Sequence, residues 1–165
     1  MKHNEILNHQ DIVNKIRRIA YQILESHINE QDLIIAGIEE NGYALAILIK
    51  KELENISELR LQLCSVKIDK NELLKPITTS VDQNSYRNKS VVLVDDVLNS
   101  GGTLMYGVKH FLNVNLKQFK TAVLINRNHK KYPIKADYKG ISLSTSLNEH
   151  VTVQIKKEPF SATLN

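Results

Sequence analysis

The segment Ser90-Val91-Val92-Leu93-Val94, closed by Asp95-Asp96, constrains the fold more than any other stretch of the chain. Its apolar run has no polar interruption, and Val91, Val92 and Val94 are β-branched. A strand of that kind is covered on both faces, as in parallel sheets packed by helices. Two similar runs, Leu33-Ile34-Ile35-Ala36 and Thr121 to Ile125, predict neighbouring strands. Between them lie helical patterns. Ile12, Ile16, Ile19 and Ile23 form one stripe of a helix over Asp11 to Ile28, and Tyr43 to Leu53 is apolar on most sides. A further helix is expected from Thr103 to Leu112. Strands and helices alternating in this order predict a single α/β domain over residues 1–165, with a mostly parallel central sheet and helices on both faces.

Two segments are less regular. Leu59, Leu61 and Leu63 alternate, then Val66 and Ile68 resume in the opposite phase. Either a bulge near Cys64 or a strand buried on both faces accounts for the slip. Asp69 to Lys89 is polar and aperiodic, which predicts a long loop of functional use. Val151, Val153 and Ile155 alternate in a last strand.

Composition narrows the class. The 165 residues are 42% hydrophobic and 24% charged, which suits a globular domain and excludes disorder. No apolar run is long enough to span a bilayer, and Glu5, Asp11 and Arg17 rule out a signal-peptide core near the start. A soluble, cytoplasmic protein is expected. The single cysteine, Cys64, forms no internal disulfide, and a small buried apolar role suits it. His3, His9, His27, His110 and His150 lack metal-ligand spacing. The formal charge is +4, and basic residues gather between Lys117 and Lys139: Lys117, Lys120, Arg127, Lys130, Lys131, Lys135 and Lys139, against Asp137 alone. That stretch is either a solvated surface or a face for phosphate, free or in RNA.

The chemistry is concentrated in Asp95-Asp96-Val97-Leu98-Asn99-Ser100-Gly101-Gly102-Thr103. A helix opening after Gly-Gly, with Ser100 and Thr103 hydroxyls beside exposed backbone N–H groups, forms an anion cradle. Carboxylates repel phosphate but accept hydrogen bonds from hydroxyls, so Asp95 and Asp96 suit a vicinal diol. A ribose 5-phosphate combines both demands. A plain helix cap at Ser100 or Thr103 is the structural alternative. Competing phosphate motifs fail on inspection. Gly37 to Gly42 has P-loop glycine spacing, but Tyr43 and Ala44 replace the required Lys and Ser/Thr, and no G-x-G-x-x-G occurs. Ligands of open parallel sheets sit beyond the carboxyl ends of the strands. Glu39–Gly42, the 69–89 loop, Asp95–Thr103 and Asn126–His129 are therefore expected to cluster.

The stretch Val91–Thr103 resembles the phosphoribosyl-pyrophosphate (PRPP) signature of type I phosphoribosyltransferases, with its Asp-Asp-x-x-x-Ser-Gly-Gly-Thr core. Leu124 to Tyr138, including Asn126-Arg127-Asn128-His129 and Pro133-Ile134-Lys135-Ala136-Asp137-Tyr138, is similar to an Asp-Arg-Gly-His-Arg-Glu-Leu-Pro-Ile-Arg-Ala-Asp-Tyr-like segment. That segment belongs to the pyrimidine-operon attenuation regulator/uracil phosphoribosyltransferase family. Ser144-Thr145-Ser146 and Val151–Gln154 continue the likeness.

The resemblance implies transfer of a ribosyl phosphate from Mg-bound PRPP to a pyrimidine, most simply uracil, giving UMP and pyrophosphate. It assigns Asp95 and Asp96 to the ribose hydroxyls as the catalytic pair, and Asn99, Ser100, Gly101, Gly102 and Thr103 to the 5′-phosphate. Glu39, Glu40, Asn41 and Gly42 fall at the pyrophosphate loop. Arg127, Asn128 and His129 fall in a hood over the base, drawn mainly from residues 126–150, with residues 69–89 as a mobile closing loop. Magnesium would be held mainly through PRPP, with no protein ligand assigned. A homodimer or larger homo-oligomer is also implied, as is a second possibility, a weakly active or inactive nucleotide-sensing regulator that binds RNA through the Lys117–Lys139 face.

Departures from the family pattern carry information. A Lys-Thr-Arg-Gly-like pyrophosphate loop is here Glu39-Glu40-Asn41-Gly42, anions in place of cations. A like-charge pair at about 4 Å costs roughly 4 kcal/mol at an effective dielectric of 20, unless the side chains turn away or magnesium offsets it. Alternatively the two acids complement the dipole of the following helix. The family's Tyr-Arg-Asp-Asp-like group is missing after the preceding strand, which leaves Lys67, Lys70 or Lys75 to face a leaving pyrophosphate. Asn99 stands where purine 6-oxo enzymes of the superfamily carry an Asp acid/base, and an amide cannot do that work. Gly102 replaces the Arg usual in the most similar family.

Overall fold

The structure, a computed structural model, describes residues 4–165, so His3 lies outside the described residues. Its centre is a six-stranded sheet of order β4-β3-β2-β5-β6-β7, formed by β2 (Asp32–Ile38), β3 (Arg60–Lys67), β4 (Thr78–Thr79), β5 (Ser90–Leu98), β6 (Gln118–Arg127) and β7 (Tyr138–Leu143). Every pairing is parallel except that of β4 with β3. Helices α1 (His9–Ser26) and α2 (Asn41–Ile56) cover one face, while α3 (Gln83–Tyr86) and α4 (Gly102–Phe111) lie on the other. The expected α/β architecture is observed.

Strand β5 sits at the middle because both of its faces are apolar. Val92 and Val94 pack with α1 and α2, and Val91 and Leu93 pack with α4. The same division resolves the phase slip in β3. It pairs with β2 without a shift from Arg60 to Val66, so there is no bulge at Cys64. Leu61 and Leu63 face the α1/α2 cluster, and Cys64 and Val66 face the other. Helix α1 begins at a reciprocal cap, in which Asp11 N–H donates to Asn8 Oδ1 (2.9 Å) and Asn8 N–H donates to Asp11 Oδ2 (3.1 Å).

Three differences from the sequence reading stand out. The 69–89 segment is not one loop, because β4 joins the sheet edge and α3 buries Tyr86 completely. Residues 68–77 are what is left of it. The expected hood segment 126–150 divides, since β7 belongs to the main sheet. A second sheet, β1-β9-β8, is built instead from β1 (Asn4–Leu7), β8 (Val151–Gln154) and β9 (Ser161–Leu164). β8 is the strand expected from the alternation at Val151 and Val153, but β9 follows it, and β1 and β9 are too short for periodicity to show. Among the described residues no helix is long and apolar enough to cross a membrane.

On the α4 face, the fully buried Phe111 ring lies 4.9 Å from Tyr86 and 5.6 Å from Phe119, centroid to centroid. It thus ties α3 and α4 to the sheet. Phe111→Ala is expected to cost about 3–5 kcal/mol of stability, read as a lower urea midpoint at unchanged slope.

Candidate active site

The acid pair lies near the carboxyl end of β5, which runs on to Leu98 beyond the Val94 end that the sequence suggested, and alternation along the strand separates the two carboxylates. Asp96 turns toward α2, where Asn41 Nδ2 donates to its Oδ2 at 2.9 Å. The same amide donates to Val153 O at 3.0 Å and so links β8 to the site. Asp95 opens on the α4 side into a cavity of about 70 Å³, which Asn99, Ser100, Gly101 and Thr103 line as well. Both acids are deeply set, at 3% and 9% exposure.

Close packing holds them there. A Cβ on Gly42 would fall 2.7 Å from Val94 O and 2.9 Å from Asp95 Cα, so α2 begins against the backbone of the acid pair. Gly101 caps α4 with φ at +87°, a left-handed conformation that glycine accepts without strain. Within the turn Gly102 N–H donates to Ser100 Oγ (3.2 Å), and Ser100 O accepts from Lys131 and Tyr132 N–H (2.8 and 3.1 Å).

Burial pushes the Asp95 carboxyl up to about 8, and the charge of Asp96 adds to the effect. Lys70 Nζ, 3.8 Å from Asp95 Oδ1, opposes it. Lys70 comes from the 68–77 segment, whose Asp69 Oδ1 accepts from Asn71 and Glu72 N–H (3.0 and 3.2 Å). The same segment lays Leu73 over the glycine turn. A Cβ on Gly102 would meet Leu73 Cδ1 at 2.9 Å and Tyr132 Cε2 at 3.1 Å.

Glu39 and Glu40 precede α2, and neither provides a side-chain cap or a first-turn acid to that helix. Glu40 turns outward, is largely exposed and is ion-paired to Lys156, which holds its carboxyl below the usual range. Glu39 N–H donates to Val66 O (2.9 Å).

Arg127 is buried, and its guanidinium donates to Asn99 Oδ1 (3.0 Å), Thr145 Oγ1 (2.9 Å), Ser146 O (3.1 Å) and Glu149 O (2.8 Å). It pins the 144–149 segment above the end of β6 and ties Asn99 to it. Asn128 Nδ2 donates to Ser144 Oγ (2.8 Å), and His129 Nε2 meets Thr145 O. All four segments named from the sequence therefore converge. Sequence reasoning did not identify Tyr132, Leu73 and Ile134, which crowd the glycine turn. Tyr132 and Ile134 lie within the 124–138 segment and Leu73 carries no motif, but only the fold brings the three together.

The chain matches the phosphoribosyl transferase domain family over residues 2–157. It belongs to that family. It is 32% identical to the bifunctional protein PyrR of Haemophilus ducreyi, over 90% of this chain and 88% of that protein. Identity to PyrR of Streptococcus mutans serotype c is 30%, over 94% and 90%. In fold the phosphoribosyl transferase domain resembles a hypoxanthine-guanine phosphoribosyltransferase of Bacillus anthracis, with a TM-score of 0.80, 16% identity, and 98% and 96% of the two chains covered. A hypoxanthine phosphoribosyltransferase of Staphylococcus aureus gives a TM-score of 0.79 at 19% identity, over 98% and 91% of the chains.

The raised Asp95 group has a consequence for stability. Its unfolded value is 3.8, so between there and about 8 the folded chain binds the extra proton. Stability is expected to be full below pH ~4 and to fall as pH rises toward ~8. Asp95→Asn should remove that slope and raise Tm near pH 8 by at least about 3 °C, which thermal scans at several pH values will show.

Proposed function

We propose that this protein transfers the ribose 5-phosphate of PRPP to a pyrimidine base, uracil first among them, releasing pyrophosphate and forming UMP. The observation that carries the reading is the paired geometry at the end of β5. Two buried carboxylates stand on adjacent residues near the carboxyl end of β5, and the glycine turn that opens α4 follows within a few residues. Diol and phosphate of one sugar phosphate would thus be held a few residues apart.

In the reaction, uracil N1 bonds to C1′ of the ribose as the C1′–oxygen bond to pyrophosphate breaks. The electron pair leaves on pyrophosphate, and the N1 proton passes to solvent. Asp95 and Asp96 accept the ribose hydroxyls and fix C1′ between base and leaving group. The Ser100–Thr103 turn binds the 5′-phosphate through N–H groups and hydroxyls. At about 70 Å³ the cavity is far smaller than the roughly 300–1,000 Å³ usual for ligands. Lys70 of the 68–77 segment lines that cavity, so movement of this segment would admit a sugar phosphate, and its return would exclude water from an oxocarbenium-like centre.

Magnesium suits the site chemically, because Asp95 and Asp96 present hard oxygen donors near where pyrophosphate would lie. Bound through PRPP, a magnesium ion would supply charge neutralisation to the leaving group. Pyrimidines are favoured over 6-oxopurines because Asn99 is an amide whose oxygen is already taken by Arg127.

A second reading, a nucleotide-sensing RNA-binding regulator, draws support from Lys130, Lys131, Lys135 and Lys139. Burial pushes the Lys130 ammonium down and the charges of Lys139 and Lys135 push it further, so these three cations lie near one another. The face is narrower than its sequence suggests. Lys117 bonds to Glu30 at 2.8 Å, Lys120 lies 3.9 Å from Asp137, and Arg127 is buried.

UMP formation from uracil and PRPP with magnesium tests the transferase reading. Turnover is expected, with a loss of at least about 100-fold in the Asp95→Asn/Asp96→Asn double variant. Absence of turnover, joined to salt-dependent RNA binding that shifts with UMP, would select the regulator instead.

A further inference from the structure

The acid pair lies toward the carboxyl ends of the parallel strands. At the opposite edge of the sheet, where β2 and β3 begin, a cavity of about 660 Å³ opens between the C-terminal ends of α1 and α2. That volume falls within the roughly 300–1,000 Å³ usual for small-molecule sites. Leu24 and Ile28, in and just after α1, and Ile56 and Leu59, at the end of α2 and before β3, supply an apolar wall. Ile28 is 75% exposed.

The polar lining leans to one sign. Neither α1 nor α2 has a basic residue in its last turn, so nothing there offsets the partial negative charge of the two helix ends. Their caps supply hydrogen bonds without charge: Leu24 O accepts from His27 N–H (3.0 Å) and Leu53 O from Ser57 Oγ (2.7 Å). The Glu58 carboxylate lines the cavity and has no partner among the described residues. Glu30 is matched by Lys117 at 2.8 Å, and the Arg60 guanidinium by Asp32 through two bonds of 2.9 Å.

His27 adds a directed acceptor. It is 1% exposed, and Nδ1 donates to Ile23 O at 2.6 Å, since a carbonyl can only accept. The lone pair is therefore on Nε2, and burial disfavours a second proton there. Nε2 is buried and without a partner among the described residues, a costly state for an acceptor. An apolar wall, a free carboxylate, two helix ends and a bare ring nitrogen all favour a positively charged donor on a short hydrocarbon.

We propose that this cavity binds a primary aliphatic amine, its ammonium between Glu58 and the helix ends and donating to His27 Nε2, its methylenes on Leu24, Ile28, Ile56 and Leu59. The site is at the sheet edge away from Asp95 and Asp96, so it does not rest on the transferase reading.

The test uses n-pentylamine as probe, with pentanol and pentanoate as the same chain bearing a neutral or an anionic head. Each is titrated at neutral pH into the unaltered protein, Glu58→Gln and Glu5→Gln, and proton–nitrogen NMR spectra follow the His27 ring. Pentylamine is expected to bind saturably and to move the Nε2 resonance as the site fills. Pentanol and pentanoate should bind about threefold or more weakly than pentylamine. Glu58→Gln, at an exposed position, should weaken pentylamine about threefold or more, and Glu5→Gln, on β1 outside the cavity, should leave it unchanged. Equal affinity for the three chains would mark a merely apolar groove and overturn the inference. So would an unmoved Nε2 resonance, the result expected if an ordered water already serves the ring. Absence of saturable binding, or equal effects of the two glutamate variants, would overturn it as well.

Discussion

Placing two carboxylates side by side at the end of a buried strand is the constraint to which the surrounding structure answers. Unpartnered acids at that depth are costly to ionise. The Asn41 amide holds Asp96, the Asp96 N–H donates to Asp95 Oδ1 at 3.0 Å, and Lys70 approaches Asp95 from the far side. Only a helix beginning with Asn41-Gly42 fits this arrangement, because the amide reaches the acid and the missing Cβ lets α2 start against the strand backbone. The site is thus assembled by packing as much as by charge.

A second tie runs from the strand ends into the roof. Arg127 satisfies two carbonyls and a hydroxyl of the 144–149 segment, and through Asn99 it reaches the residue that opens the phosphate turn. A buried guanidinium with this many partners acts as a fixed brace. Asn41 does the same on the other side through Val153, so the small β1-β9-β8 sheet and the main sheet share one polar link at the acid pair. Charges around the acid pair are mostly matched within the protein, Glu40 by Lys156 and Asp95 by the approach of Lys70.

Much of this was legible in residue order. The Val91–Val94 run placed the central strand, and α1, α2, α4, β2, β3 and β6 follow from spacing within a few residues of their observed ends, whereas β4, α3 and β7 were not read. Asp95 to Thr103 could be marked as the candidate site because carboxylate, glycine and hydroxyl chemistry is local to nine consecutive positions. Less could be read where structure depends on distant partners. Nothing in the composition of residues 4–7 or 161–164 shows that they pair with one another across the whole chain. Glu40 looked like an anion aimed at an anion until Lys156, far along the sequence, turned it outward. Arg127 looked available for a base or for RNA, yet its donors are consumed by a segment some twenty residues later.

Sequence alone determined the layering of this protein and the chemical type of its site, because hydrophobic periodicity and a short contiguous motif are properties of near neighbours along the chain. Tertiary structure decided which charges are free. Whether a lysine faces an acid, a carbonyl or water is set by side chains brought together from remote positions, and the energy of each pairing depends on distance and burial. Lys67, Lys70 and Lys75 are alike as letters in a row. Only folding puts Lys70 against Asp95 and leaves the other two turned away or already paired.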